Sequence, residues 1–233
     1  MNGKSFIEPH TQQWKEVRLG RFTSSEIHKL FQGGKRSLTP EELKGREKGD
    51  LRRTADTLFG EGALTYIKVK IAEILTGEAK EATSTSMDWG LSLEADAIQC
   101  YAKNKNAKPE LSGFYTFNSI YGGSPDAEIG NDGILEVKCP FASENHISIM
   151  LCKSVEELRN FNEAYYTQPQ GNMFVTGAKW CDFISYDPRC KNEKFRIKII
   201  RIDRDENLIK DMVFRLEKAA DIMNDYFNDL IEI

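Results

Sequence analysis

Histidine is scarce in this chain, three residues in 233, and cysteine occurs as five isolated residues with no CxxC pair. His10, His28 and His146 stand near no cysteine pair at ligand spacing, so a zinc site is not expected. The opening MNGKSFIEPHTQQW lacks the apolar stretch of a secretory leader. Together with the odd cysteine count, this points to reduced thiols and a cytoplasmic protein. No apolar run approaches the ~20 residues that span a bilayer, so no membrane partner is expected. Repeats and low-complexity tracts are missing too. So is any overall basic excess: the net charge is −4, which taken alone argues against nucleic-acid binding.

What is present fits one domain spanning residues 1–233: 40% of the residues are hydrophobic and 29% charged, enough for a sizeable core. The average charge hides a gradient. Residues 1–54 hold 12 Lys/Arg against 7 Asp/Glu, and residues 202–233 hold 4 against 9. A phosphate-binding surface needs only a local positive face, although a solvated surface accounts for the same asymmetry.

Along the chain, SSEIHKLF at 24–31 reads as a helix start capped by Ser24 or Ser25, with Ile27, Leu30 and Phe31 inward. Residues 33–50 read as a basic, Gly-rich loop with a helical turn at Thr39-Pro40. A helix over about 62–76 presents Leu64, Ile67, Ile71, Ile74 and Leu75 and stops at Gly77. A second helix covers about 87–103, and strands are expected near 113–121 and 133–139. A capping box, Ser154 with Glu157, opens another helix. Strands near 180–186 and 194–202 precede a last amphipathic helix over about 206–230. This order predicts an α/β fold with a mixed central sheet covered by helices on both faces.

The stretch 122–140, GGSPDAEIGNDGILEVKCP, concentrates the chemistry. Side chains alternate along a strand, so Leu135, Val137 and Cys139 face one way and Ile134, Glu136 and Lys138 the other. The turn formers Gly130, Asn131, Asp132 and Gly133 predict a hairpin that returns Asp126 to the side of Glu136. Two adjacent carboxylates repel unless a cation neutralises them, and magnesium prefers such oxygen donors. Glu136 and Lys138 could equally be an ordinary ion pair on a solvated face. In the helix at 87–103, Glu94 shares a face with Gly90, Ala97, Ile98 and Tyr101, which points it inward. A metal or a buried arginine would each account for an inward carboxylate, and a face turned slightly to solvent would account for Glu94 as well.

Pro125-Asp126 followed by Glu136-Val137-Lys138 resembles the PD-(D/E)XK nuclease superfamily. Four blocks make the likeness narrower: WKEVRLGRFTSSE at 14–26, WGLSLE at 89–94, SPDAEIGNDGILEVKCPF at 124–141, and AYYTQPQGNMFVTG with WCDFISYDPR at 164–189. In this order they resemble the phage lambda exonuclease type, the YqaJ-like viral recombinase family, over nearly the whole chain. The resemblance implies a restriction-endonuclease-like core with Asp126, Glu136, Glu94 and the Val137 carbonyl holding one or two Mg2+ ions, Mn2+ being a possible substitute. It implies a catalytic Lys138, a supporting Gln170 within Gln170–Phe174, and a 5′-phosphate pocket containing Arg18 and Ser25. It further implies 5′-to-3′ digestion of double-stranded DNA ends, a ring-shaped homotrimer, a single-strand annealing protein as partner, and the cytoplasm of a bacterial host as location.

Bottom-up, Ser25 at a helix N-terminus and a forked Arg18 suit an anion. Pro169 interrupts the helical pattern next to Gln170 and leaves Gln168 as the rival glutamine. Lys35, Arg36, Arg46 and Lys48 are further expected DNA contacts. An endonuclease or repair nuclease on the same core, a non-catalytic end-binding module and an interaction protein without a DNA role are the alternatives.

Overall fold

The computed structural model describes residues 3–5, 7, 11–45, 50, 52–79 and 84–232. His10, Arg46 and Lys48, named above, lie outside the described residues. In chain order the elements are β1 (Gly3–Ser5), α1 (Gln12–Arg18), β2 (Phe22–Thr23), a 3-10 helix (Ser24–Phe31), β3 (Gly34–Ser37), α2 (Pro40–Lys44), β4 (Thr54–Thr57), α3 (Glu61–Thr76) and α4 (Thr85–Lys105). They continue with β5 (Pro109–Leu111), β6 (Phe114–Thr116), β7 (Tyr121–Gly123), β8 (Ala127–Ile129), β9 (Gly133–Lys138), α5 (Ser143–Leu151), α6 (Val155–Phe161), α7 (Ala164–Thr176), β10 (Trp180–Tyr186), β11 (Ile197–Asp203) and α8 (Glu206–Ile231).

The central sheet has the order β11-β10-β9-β8-β5. It is mixed, because β9 and β10 run parallel while the other neighbours are antiparallel. Both faces of this sheet are covered, as the strand sequences require. On one face Ile134, Cys181, Phe183 and Ile202 pack with Ile149, Leu158 and Met173 from α5, α6 and α7. On the other, Leu135, Val137, Cys139, Ile184 and Tyr186 pack with Ala97 and Tyr101 from α4. Each large apolar side chain buried this way contributes roughly 1.5–3 kcal/mol. A second sheet, β1-β6-β7-β2, leans on a third cluster formed by the 3-10 helix, α3 and α8.

Several expectations need correction. The single strand expected at 113–121 is two, β6 and β7, because Asn118 Oδ1 accepts from the amides of Ile120 and Tyr121 and turns the chain between them. In the expected basic loop at 33–50 the helical turn at Thr39-Pro40 forms as α2, capped reciprocally by Thr39 and Glu42, but the stretch also holds β3, which pairs with β4 in a separate two-stranded sheet. The segment at 24–31 is 3-10 rather than α-helical, and Thr23 occupies the cap position without a side-chain bond.

On α3 the buried face is Ala63, Tyr66, Ile67, Lys70, Ile71 and Glu73, and Ile74 and Leu75 are exposed. The face rotates because Glu73 Oε2 accepts from the Gly20 amide at 2.9 Å while also pairing with Lys70, so the polar pair is satisfied inside. Glu157 reaches the Lys153 amide, one residue short of a full capping box, although Ser154 does accept from Glu157 N.

Candidate active site

The β8–β9 hairpin forms as its turn residues require. Gly130 takes the left-handed conformation at φ +59°, and Ala127, Glu128 and Ile129 pair with Leu135, Ile134 and Gly133. One step further along the ladder Asp126 faces Glu136, its amide donating to the Leu135 carbonyl at 3.1 Å. Asp126 Oδ2 accepts from the Val137 amide at 2.6 Å. What the structure shows of Val137 is therefore this amide contact to Asp126.

Glu136 is not on an open face. It is 1% exposed, because α7 lies across it. Both of its oxygens are occupied: Oε1 accepts from Lys138 Nζ at 2.7 Å and Oε2 from Asn172 Nδ2 at 3.0 Å. Lys138 Nζ also donates to Gln168 Oε1 at 3.1 Å and lies 6.0 Å from the centre of the Tyr165 ring. Gln168 and Asn172 stand four residues apart and so share one face of α7.

The structure places the two glutamines differently. Gln170 points elsewhere: its Nε2 donates to the Asp203 carbonyl and its Oε1 accepts from the Asp205 amide, both at 2.8 Å. Pro169 stands inside α7 without ending it, and the helical rotation carries Gln170 away from the face shared by residues 168 and 172. Asn172 was missed. The spacing Gln168-x-x-x-Asn172 was the signal available for it.

Electrostatically the site is strained in one direction. Burial, then repulsion by Glu136 and Glu94, hold the Asp126 carboxyl well above the usual range, against the pull of Lys138 and the Val137 amide. Burial and Glu136 likewise raise the Glu94 carboxyl. Burial works against the Lys138 ammonium, but Glu136 and Asp126 override it and hold its pKa above that of an ordinary lysine.

Among the described residues, no three His, Cys, Asp or Glu side chains are grouped as a metal-binding set. Magnesium does not require one, since it takes one or two carboxylates and keeps several waters. The facing pair Asp126 and Glu136, with Glu94 close enough to repel both, crowds three hard oxygen-donor groups around the single Lys138 ammonium, so the residues fit such a cation.

Residues 13–179 match the YqaJ-like viral recombinase domain. The chain belongs to the YqaJ-like viral recombinase family. Its fold resembles that of an alkaline exonuclease (LHK-Exo) from Laribacter hongkongensis, at 24% identity and TM-score 0.73, over 95% of this chain and 97% of that one. The same enzyme in complex with dAMP superposes with TM-score 0.71 at 24% identity, over 94% and 96% of the two chains. A phage related exonuclease from Haemophilus somnus 129PT gives 0.68 at 15% identity, over 90% and 96%. No curated protein sequence matches the chain. The fold is thus the mixed α/β fold of the alkaline exonucleases.

In this YqaJ-like chain the first block builds a second polar region. The Arg18 guanidinium lies 4.0 Å from the centre of the Trp14 ring and 5.8 Å from that of Phe114. Burial lowers its pKa, opposed by Tyr66, Glu26 and Glu73. Ser25 Oγ lies 3.1 Å from Thr23 Oγ1 in the first turn of the 3-10 helix, and the Thr23 amide donates to the Tyr66 hydroxyl. Tyr66 and Glu26 thus act on Arg18 electrostatically, and Tyr66 also accepts from Thr23, the residue whose hydroxyl meets Ser25.

Glu26 pairs with Lys29 and lies 3.8 Å from Lys70. Arg36 stands apart on the β3–β4 hairpin, where both of its terminal nitrogens bind Glu42, at 2.8 and 2.7 Å. Its expected role as a DNA contact competes with this pair. No helix among the described residues is long and apolar enough to cross a membrane.

Proposed function

We propose that this chain is a magnesium-dependent exonuclease that digests one strand of double-stranded DNA from a 5′-phosphorylated end, leaving a 3′ single-stranded overhang for recombination. The observation that carries this reading is the convergence at β9. Asp126, Glu136 and Lys138 meet at one point of the central sheet, where burial and the neighbouring Glu136 raise the proton affinity of the Asp126 and Glu94 carboxyls.

A divalent cation held by Asp126 and Glu136, with Glu94 and the Val137 carbonyl as further donors, would supply Lewis-acid stabilisation of the phosphodiester and a more acidic bound water. Lys138 contributes a fixed positive charge where negative charge develops during hydrolysis. Its raised pKa keeps it an ammonium, which suits orienting the attacking water and stabilising charge better than removing a proton. Gln168 holds the Lys138 ammonium in place.

Arg18, stacked on Trp14, would receive the terminal 5′ phosphate together with Ser25. A homotrimeric ring, a single-strand annealing partner and a cytoplasmic location belong to the same reading through the family resemblance. Manganese would substitute for magnesium as another oxygen-preferring cation.

The test is digestion of end-labelled linear duplex with and without a 5′ phosphate, with and without magnesium, beside a closed circle. Magnesium-dependent release of mononucleotides from the 5′-phosphorylated end alone is the expected result. Equal cutting of the circle moves the assignment to an endonuclease on the same fold, and absence of cutting under every condition overturns it.

A further inference from the structure

Asn172 is the buried polar group that the proposed chemistry leaves without a task. It is 0% exposed, in the last turns of α7, and its Nδ2 donates to Glu136 Oε2 at 3.0 Å. Its Oδ1 is buried and, among the described residues, has no hydrogen-bond partner. An asparagine kept in this state costs stability, since a buried acceptor without a donor is unfavourable.

The surroundings explain why it does not simply turn over. A reversed amide would set Oδ1 against Glu136 Oε2, acceptor against acceptor. The packing around it is also close. A Cβ on Gly123 would overlap both Asn172 Oδ1 and Ser24 Oγ, and a Cβ on Gly171 would overlap the Tyr121 hydroxyl, which lies 2.9 Å from Ser24 Oγ. Two glycines therefore let α7, β7 and the start of the 3-10 helix meet at Asn172.

We propose that Asn172 is a positioning residue for Glu136. The Lys138 ammonium draws Glu136 Oε1 towards it at 2.7 Å. Asn172 holds the other oxygen from the opposite element, α7, and so fixes the plane of the carboxylate. Without it Glu136 rotates about its last torsion, which is broad and weakly restrained on its own. One oxygen would then no longer be presented in a set direction to a cation shared with Asp126. Outer hydrogen bonds of this kind to a ligating carboxylate typically change metal affinity or activity about 10–100-fold when removed. The inference rests on the metal-dependent reading given above.

The experiment is titration of the full chain with Mn2+ without DNA, read by calorimetry, on the parent, Asn172→Ala and Asn172→Ser. Each titration is followed by kcat and KM on 5′-phosphorylated duplex and by end binding in metal-free buffer. The expected result is Mn2+ binding weakened about 10–100-fold in Asn172→Ala and partly restored by the hydroxyl donor in Asn172→Ser. With it, kcat falls while KM and metal-free end binding stay within about twofold. In a Glu136→Ala background Asn172→Ala should add nothing further.

Mn2+ affinity and kcat within twofold of the parent in both variants overturn the inference. If the alanine variant fails to fold, the serine variant against the parent decides by the same titration. A parent that binds no Mn2+ and digests no DNA sinks the metal-dependent reading itself. A parent that does both beside parent-like variants sinks only the role of Asn172.

Discussion

Two ion pairs with the same chemistry behave differently in this molecule. Arg36 on β3 and Glu42 on α2 make a two-pronged pair, and Glu136 and Lys138 make a single-bond pair on β9. The first has the better geometry. Its arginine holds Glu42 down to about 2, yet the Glu42 side chain is 39% exposed, and water screens the pair from everything beyond it. The second has a carboxylate 1% exposed, two further acids that repel it, and one ammonium to share. In a low-dielectric setting each of these charges acts on the others, so the group holds unspent negative potential. Burial and crowding, more than pairing, mark a site.

The largest test of that contrast is Lys138→Ala. Removing the ammonium leaves Glu136 and Asp126 facing each other without compensation, and magnesium-dependent digestion should fall by about a thousandfold or more, the combined scale of one lost electrostatic donor and one lost positioning group. Unchanged digestion of end-labelled duplex would remove Lys138 from the chemistry.

Next come the two glutamines. Gln168→Ala should lower kcat about tenfold while leaving the thermal midpoint close to the parent's, because it touches Lys138 at the edge of the site. Gln170→Ala should do the reverse. It leaves the Asp205 amide and the Asp203 carbonyl unpartnered, costing about 1–3 kcal/mol of stability with little change in the rate per folded molecule. Equal effects of the two on both readouts would erase the distinction between them.

A smaller effect concerns pH. The folded Asp126 carboxyl binds its proton more tightly than in the unfolded chain. The unfolded chain therefore releases that proton first as pH rises. Stability of the metal-free protein should fall from the ordinary carboxylate range up through the raised pKa of Asp126, then level off. Asp126→Asn should flatten this slope and raise the thermal midpoint in EDTA at neutral pH. A lower midpoint for the variant at that pH would contradict the crowding described here. The smallest effect is expected for Arg36→Ala, with a thermal midpoint within about 1 °C of the parent's, since exposed pairs contribute little. Loss of DNA binding with that variant would show that the hairpin arginine leaves Glu42 for a phosphate.

Much of this was legible in the chain. The alternation in ILEVKC separated Glu136 and Lys138 from Leu135, Val137 and Cys139, and the Gly-Asn-Asp-Gly turn set the register that brings Asp126 opposite Glu136. Both are local, since a strand's period and a turn's φ requirements depend on neighbouring residues. The long helix α8 was legible for the same reason, with Ile209, Met212, Leu216, Ala219 and Met223 buried on one stripe. The buried face of α3 was misjudged because Lys70 and Glu73 look like surface residues until the Gly20 amide arrives from 53 positions away. The basic stretch at 33–50 concealed β3, whose partner β4 begins beyond it.

By itself the sequence determined which residue types could do the chemistry and the local geometry of the hairpin that carries two of them. The tertiary structure alone decided how buried Glu136 is, which glutamine meets Lys138, and that Asn172 completes the carboxylate's hydrogen bonds. Those outcomes depend on α7 packing across β9, a contact between segments some thirty residues apart. Helical rotation and burial together select its members, and neither is written in any short stretch of the chain.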